Sequence, residues 1–445
     1  MNGKPVDILV TNAIVLTMNA DAQKFDPGFV AIRKDRITAV GPMSNCPCIN
    51  DCKTIDARGG IVMPGLINAH THAAMTCFRG MADDLPLMTW LNDFIFPAEA
   101  ALDQKKVYSG SLLACAEMIL SGTTCFSDMY LFEDAVAMAA KDAGIRAVVG
   151  EVLYDFPSPN YGPIEKGFEY TEMLIEKWKD DPLINIAVEP HSPYLCSPEL
   201  LQKASALALD NHIIMITHLS ETFSEVAEIQ KRYGKTPVAH LADLNVLAPN
   251  LLACHCVVLN NEDIELLHQF HVKVAHNPES NMKLASGISP VPKMLQKGIC
   301  VSIGTDGCAS NNNLDMLLEM DTAAKLHKVS TGDPTVLDAK TVIRMSTIDA
   351  ARALGLSDIT GSLEPGKKAD LIVIDTKKPH LTPMYQPESH LVYAARGSDV
   401  DCVIIDGKVV LENRRLLFLD PEKVMDTVDQ IAQEIRASVS KIRHR

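Results

Sequence analysis

A chain of 445 residues, 47% hydrophobic and 22% charged, has ordinary globular composition and is long enough for one large barrel plus a smaller companion unit. A formal net charge of -15 repels phosphate backbones and anionic lipid surfaces, which disfavours nucleic acid and membrane partners and favours a small-molecule substrate; a homo-oligomer is compatible with the composition. No run approaches the roughly eighteen uncharged apolar residues of a membrane span, and Met1 to Thr17 lacks the basic-then-apolar layout of a signal peptide, so a cytoplasmic location is expected. The twelve cysteines are scattered and read as reduced and buried; Cys46, Cys48 and Cys52 offer no paired C-x2-C half-sites for a metal.

Along the chain, Val6–Val10, Ala13–Thr17, Val30–Ile32 and Ile37–Val40 are short β-branched runs broken by turn residues, the pattern of a small antiparallel sheet. Eight further apolar runs follow, alternating with helical stretches: Gly65–Asn68, Gly122–Phe126, Arg146–Val149, Ile184–Val188, Ile213–Ile216, Leu251–Cys254, Val272–Ala275 and Cys300–Ile303. Eight βα units predict a (β/α)8 TIM barrel; an open doubly wound sheet would carry a G-x-G-x-x-G turn after its first strand, and none is present. The early texture returns in Ala369–Asp375 and Val400–Val410, with Asp406-Gly407 as a two-residue hairpin turn, so both ends are expected to form one small β-sandwich. After Asp420-Pro421, Val424, Val428, Ile431, Ile435, Val439 and Ile442 recur at helical spacing, with Asp420 as N-cap. The expected division is 1–64 and 361–420 for the sandwich, 65–360 for the barrel and 421–445 for the closing helix.

Polar residues gather just after several barrel runs, where a TIM barrel builds its active site. In His70-Thr71-His72 the two imidazoles alternate to one face and can grip one cation. His218 ends the fifth run, His255 the sixth, and Asp306 follows the eighth, which turns a weak pair into a converging set of nitrogen and oxygen ligands. Buried without a metal, such groups at strand ends would be costly.

Met63-Pro-Gly-Leu-Ile-Asn-Ala-His70-Thr-His72 resembles the amidohydrolase superfamily. Phe78-Arg-Gly80, Ala82-Asp-Asp-Leu-Pro-Leu-Met88 with Trp90-Leu91, Glu189-Pro-His191-Ser-Pro193, His276-Asn-Pro278 with Ser280-Asn-Met-Lys283, and Gly304-Thr-Asp306-Gly-Cys-Ala-Ser310-Asn-Asn312 are similar to its 5'-methylthioadenosine/S-adenosylhomocysteine deaminases. The resemblance runs on to Gly361–Asp370 and so spans nearly the whole chain.

It implies one divalent ion, zinc first among candidates, held by His70, His72, His218 and Asp306, with an open position where the pKa of water falls toward about 7. Attack at C6 of a purine follows, with Glu221 to protonate N1, Asp306 to take the proton of the water and His255 to orient the attacking oxygen. Glu221 and Asp306 thus also contact the substrate. Glu99 would accept hydrogen bonds from ribose hydroxyls, His191 would face the substrate, and Trp90 is a candidate for the pocket wall or for core packing.

The implied reaction converts an adenosine derivative (5'-methylthioadenosine or S-adenosylhomocysteine, with adenosine and 5'-deoxyadenosine as further candidates) into the inosine derivative and ammonia. One departure bears on the choice. Where some family members place an arginine near the end of the third strand for the homocysteine carboxylate, this chain has Glu151, which is expected to disfavour an anionic tail at the pocket mouth. The competing reading is a superfamily hydrolase acting on another ring, such as an s-triazine chlorohydrolase or a guanine or cytosine deaminase.

Overall fold

The computed structural model describes residues 6–48, 51–85, 89 and 91–443. Pro86, Leu87, Met88 and Trp90 of the motif above lie outside the described residues, as do the side chains of Val439 and Ile442. Strands β1 (Ile8–Leu16), β2 (Lys24–Arg33), β3 (Arg36–Pro42), β4 (Lys53–Asp56) and β5 (Ile61–Pro64) precede the barrel strands β6 (Leu66–Thr71), β7 (Thr123–Tyr130), β8 (Arg146–Leu153), β9 (Ile184–Ile186), β10 (Glu189–Pro190), β11 (Met215–Leu219), β12 (Leu251–His255), β13 (Lys273–His276) and β14 (Val301–Ile303). The chain returns to the first sheet through β15 (Leu371–Ile374), β16 (Val400–Ile405), β17 (Lys408–Glu412) and β18 (Arg415–Leu416).

The expected barrel is present. Strands β6, β7 and β8 pair in parallel, β8 continues into both β9 and β10, and β11 to β14 pair in parallel in chain order. A bridge from Val188 to Met215 joins the halves on one side, and the Asp306 N–H donates to the His70 carbonyl at 2.9 Å on the other. The fourth strand is broken into β9 and β10; Pro190 has no N–H to give a ladder. Every residue of β6, β7 and β8 is buried, as expected of strands with helices on one side and the barrel core on the other.

The two ends of the chain meet as predicted, but in one continuous nine-stranded sheet, not two stacked ones. The junction is the antiparallel pairing of β5 with β15, Met63 opposite Ile372. The sheet curls on itself, so that Val10, Val30 and Ile32 of its early strands share one core with Leu371, Val373 and Ile404 of its late ones. Asp406 and Gly407, both with positive φ (50° and 74°), make the I′-type hairpin turn that the dipeptide predicts. This sheet lies against the N-terminal ends of the barrel strands: the Gly65 N–H donates to the Asp370 carbonyl, and Arg146, at the start of β8 and 1% exposed, pairs with Asp370 at 2.9 Å. The opposite, C-terminal ends are left for a site.

The closing helix Pro421–Arg443 starts where expected, with the Asp420 side chain accepting from the Lys423 N–H, and buries Val428, Ile431 and Ile435. Cys77, Cys115, Cys125, Cys196, Cys254, Cys256, Cys308 and Cys402 are buried thiols.

Candidate metal centre and active site

Three strand ends turn sharply at the C-terminal mouth. Ser220, His255 and Asp306 all take left-handed backbone conformations, with φ of 53°, 70° and 62°. Such angles cost of order 1 to 3 kcal/mol each for residues with a Cβ and persist only where the surroundings enforce them. Between Ile303 and Asp306 the chain passes so close to β6 that a Cβ on Gly304 would sit 2.6 Å from the His70 backbone nitrogen, which cannot yield. That approach brings Asp306 up to the histidines.

His70 and His72 come from the end of β6, His218 from β11, His255 from β12 and Asp306 from beyond β14. The ring centroids of His70 lie 4.9 Å from His72, 5.0 Å from His218 and 5.5 Å from His255. The donor atoms of His70, His72 and His218 lie within 4.8 Å of one another, and so do those of His70, His255 and Asp306. Asp306 Oδ1 stands 3.1 Å from His72 Nε2 and 3.7 Å from His70 Nε2.

Neighbouring acceptors decide which ring nitrogens are free. His72 Nδ1–H donates to the Met129 carbonyl, His218 Nδ1–H to the His191 carbonyl at 2.8 Å, and His255 Nδ1–H to the Asn281 side-chain oxygen at 3.0 Å. A carbonyl can only accept, so in each ring Nε2 keeps a lone pair directed into the cluster when the ring is neutral. His70 Nε2 is buried with no hydrogen-bond partner. A divalent cation supplies what that orphaned nitrogen lacks, and a set of imidazoles with one carboxylate suits zinc and related ions.

Charge is unevenly held. Burial drives His70 and His218 well below the usual imidazole range, and His191 down to about 3. Burial opposes charge on His72 too, but the hydrogen bond and charge of Asp306 outweigh it and lift this ring to about 9. Asp306 stays ionised despite burial because His72 holds it far below the ordinary carboxylate range.

Glu221, just past β11, lies with Oε2 4.0 Å from His255 Nε2. Burial raises its pKa, against the pull of His255, so its carboxyl keeps a proton to higher pH than an exposed glutamate. Glu225, one helical turn on, fixes this strand end by accepting from the Ser220 and Glu221 N–H groups at 3.0 and 2.7 Å, while the Thr222 hydroxyl accepts from the Glu225 N–H. Sequence reasoning missed Glu225; the Thr222-x-x-Glu225 spacing of a helix start was the available signal.

Glu99 is half-buried, receives the Tyr130 hydroxyl at 2.9 Å and is lifted to about 7 by desolvation. His191 packs its ring 4.7 Å from His218. Glu151 requires a correction. It does not stand at the pocket mouth but is fully buried, its two oxygens taken by the Glu133 N–H at 3.0 Å and the Asn160 amide at 2.9 Å. The helix Glu133–Ala143, starting beside β8, turns that N–H onto the carboxylate.

The sequence profile of the Amidohydrolase family matches residues 61–410. This chain belongs to that family. The amidohydrolase is 58% identical, over 98% of its length and all of the relative's, to a 5-methylthioadenosine/S-adenosylhomocysteine deaminase of Syntrophobacter fumaroxidans. It is 49% identical to a 5'-deoxyadenosine deaminase of Methanosarcina acetivorans, covering 97% of this chain and 99% of that one. Among solved structures, an adenosine deaminase from Xanthomonas campestris with bound zinc superposes with a TM-score of 0.95 at 39% identity, over 98% of this chain and 99% of that one. Among the described residues, no helix is long and apolar enough to cross a membrane.

Proposed function

We propose that this amidohydrolase hydrolyses the 6-amino group of a 5'-deoxy or 5'-thio adenosine, giving the 6-oxopurine nucleoside and ammonia. The carrying observation is the meeting of five groups at one barrel mouth: three imidazoles aimed at a common point, an ionised Asp306 and, beside them, Glu221 with its raised pKa. The relatives named as deaminases of such nucleosides support the adenosine class over a triazine, guanine or cytosine.

His70, His72, His218 and Asp306 are the residues that would hold a divalent ion, zinc by the chemistry of the set and by the neighbour structure with bound zinc. Bound there, such an ion acidifies water and polarises the developing oxyanion. This chain's own groups do the rest. Asp306 accepts the proton of the attacking water, and Glu221 delivers its proton to N1, which makes C6 electrophilic. His255, fixed through Nδ1, directs Nε2 at the oxygen that bonds to C6. As the C6–N bond breaks, the amine takes up the proton held by Asp306 and departs as ammonia; N1 keeps the proton from Glu221, and the hydroxyl proton left on the new C6–O bond passes to Glu221, which gives the 6-oxo product and restores both carboxyl groups. Glu99 receives the ribose hydroxyls, and neutral His191 faces the purine. The nucleoside need bring no anionic tail, because position 151 supplies no cation and its carboxyl points into the protein.

The test is ammonia release from 5'-deoxyadenosine, 5'-methylthioadenosine, adenosine, S-adenosylhomocysteine, guanine and cytosine, with chloride release from a chlorotriazine as control. The expected result is highest kcat/KM on the neutral 5'-deoxy and 5'-thio nucleosides, with S-adenosylhomocysteine below them. Turnover of guanine, cytosine or the triazine alone would overturn the reading.

A further inference from the structure

The short helix Pro278–Lys283 carries Ser280 and Asn281, fully buried and next to each other in sequence. Ser280 Oγ donates to Asp306 Oδ2 at 2.6 Å, and Ser310 Oγ, from beyond β14, reaches the same oxygen at 2.9 Å. The two hydroxyls are 3.0 Å apart. Each has a single proton to give, so together they can saturate both lone pairs of Oδ2. The other oxygen, Oδ1, receives the Gly307 N–H at 2.9 Å and faces His72. The carboxylate therefore cannot rotate without abandoning donors at both ends. On the adjacent residue, the Asn281 oxygen accepts from His255 Nδ1–H. One turn further, Lys283 anchors the helix to Asp83 at 2.6 Å, and Asn312 holds Asp83 from the far side at 3.0 Å.

We infer that Ser280 and Asn281 are positioning residues that set the two groups handling the attacking water: Ser280, with Ser310, reserves Oδ1 of Asp306 for the histidine cluster, and Asn281 selects the His255 tautomer whose Nε2 faces the site. The inference rests on the roles proposed above for Asp306 and His255. Outer partners of this kind are worth about 10- to 100-fold in metal affinity or activity when removed. The two residues act on different groups, so their losses divide differently. Ser280 acts through a ligand and its removal is felt in metal binding; Asn281 acts through a group that orients the attacking oxygen and its removal is felt in turnover.

The experiment compares Ser280→Ala, Ser310→Ala, Ser310→Thr and Asn281→Ala with the wild-type chain, each checked for native circular dichroism. Zinc affinity is read by competition with a chelating dye, and kcat and KM are read on 5'-deoxyadenosine at saturating zinc. Ser280→Ala and Ser310→Ala are expected to weaken zinc about 10- to 100-fold, and Ser310→Thr, which keeps the hydroxyl, to stay near wild type. Asn281→Ala is expected to bind zinc within twofold of wild type while losing at least tenfold in kcat at unchanged KM. Wild-type zinc affinity in both alanine variants of the serines overturns the first half, as does equal loss in Ser310→Ala and Ser310→Thr; a purely KM effect in Asn281→Ala overturns the second. If Ser280→Ala does not fold, the Ser310 pair decides the first half alone. Zinc binding needs no substrate, so a wild-type enzyme inert on every nucleoside would defeat the proposed function and leave the zinc measurement standing.

Discussion

Replacing Glu151 by glutamine should leave stability almost unchanged at pH 5 and raise it at pH 9, so that the two stability curves diverge as pH climbs. The wild-type carboxyl is wholly buried, and desolvation raises its pKa from 4.5 to about 7, against the pull of the two hydrogen bonds it accepts. A carboxyl whose folded pKa is raised retains its proton in the native state over a range where the unfolded chain releases it. Its stabilising effect is complete below about pH 4.5 and is lost as pH climbs through about 7. At about 1.4 kcal/mol per pH unit of difference, the loss reaches about 3 kcal/mol by pH 9. Glutamine cannot ionise and escapes that loss. It also has one acceptor oxygen where glutamate has two, so one of the Glu133 and Asn160 contacts is kept and the other must turn around or break, at about 1 kcal/mol. At pH 5 the wild type has already lost about 0.7 kcal/mol, so the net expectation is near zero at pH 5 and about 2 kcal/mol of stabilisation at pH 9. Fully buried Glu189, whose pKa is driven up by burial and by the charges of Asp128 and Glu151, loses a repelling neighbour in the variant and shifts the result the same way. Urea unfolding of both proteins at pH 5, 7 and 9, at fixed zinc, measures the difference. Parallel pH dependences would refute the argument, because they would show that Glu151 ionises alike in the folded and unfolded chains.

Removing a ligand through His70→Ala or Asp306→Ala is expected to abolish bound zinc, read by elemental analysis, and to cut turnover by several orders of magnitude. Glu221→Gln keeps shape and hydrogen bonding but carries no transferable proton, so it should retain its metal and lose about 10² to 10⁴ in kcat; a variant that loses its metal instead would show a ligand and not an acid. His72 is protonated up to about pH 9 in the metal-free site but must be neutral to bind a cation, so zinc binding at pH 7 should release about one proton and tighten about tenfold per pH unit up to 9. Calorimetry in buffers of different ionisation enthalpy counts that proton, and a pH-independent affinity would contradict the charge state drawn for the His72–Asp306 pair.

The barrel was legible in the sequence because its parallel strands are largely buried on both faces and so read as mainly apolar runs; all eight runs lie on or beside barrel strands. The fifth is displaced from Ile213–Ile216 to Met215–Leu219, since left-handed His212 spends the first residues of the run on leaving the preceding turn. Strands β4 and β5 were not legible. Lys53–Asp56 is polar and pairs only along β1, and Ile61–Pro64 is four residues closed by a proline, so neither shows a period. Nor could local pattern show that the expected sandwich is one curled sheet, because that depends on the β5–β15 pairing across some three hundred residues.

The candidate site divides along the same line. The residues proposed to hold the metal were visible because they stand at or just past the ends of three apolar runs, His70 and His72 sharing one, and a barrel gathers all such ends at one mouth. What holds them was not visible. Ser280, Asn281 and Ser310 sit in loops and a short helix, where a serine or asparagine ordinarily reads as a turn or cap residue, and only the folded chain shows two hydroxyls meeting on one carboxylate oxygen. Glu151 failed for a related reason. Its position along β8 was right, but strand position gives the height of a side chain in the barrel and not its company, and the N–H of Glu133 reached the carboxylate first. The left-handed turns at Ser220, His255 and Asp306 belong to the same class. None of the three is glycine, so nothing in the residue types announces them, yet each is where a strand must bend for its side chain to meet the others. A local conformation that the residue type disfavours, repeated at three of the strand ends that build the site, is strain retained for positioning, and it makes the cluster a property of the closed barrel and of no single segment.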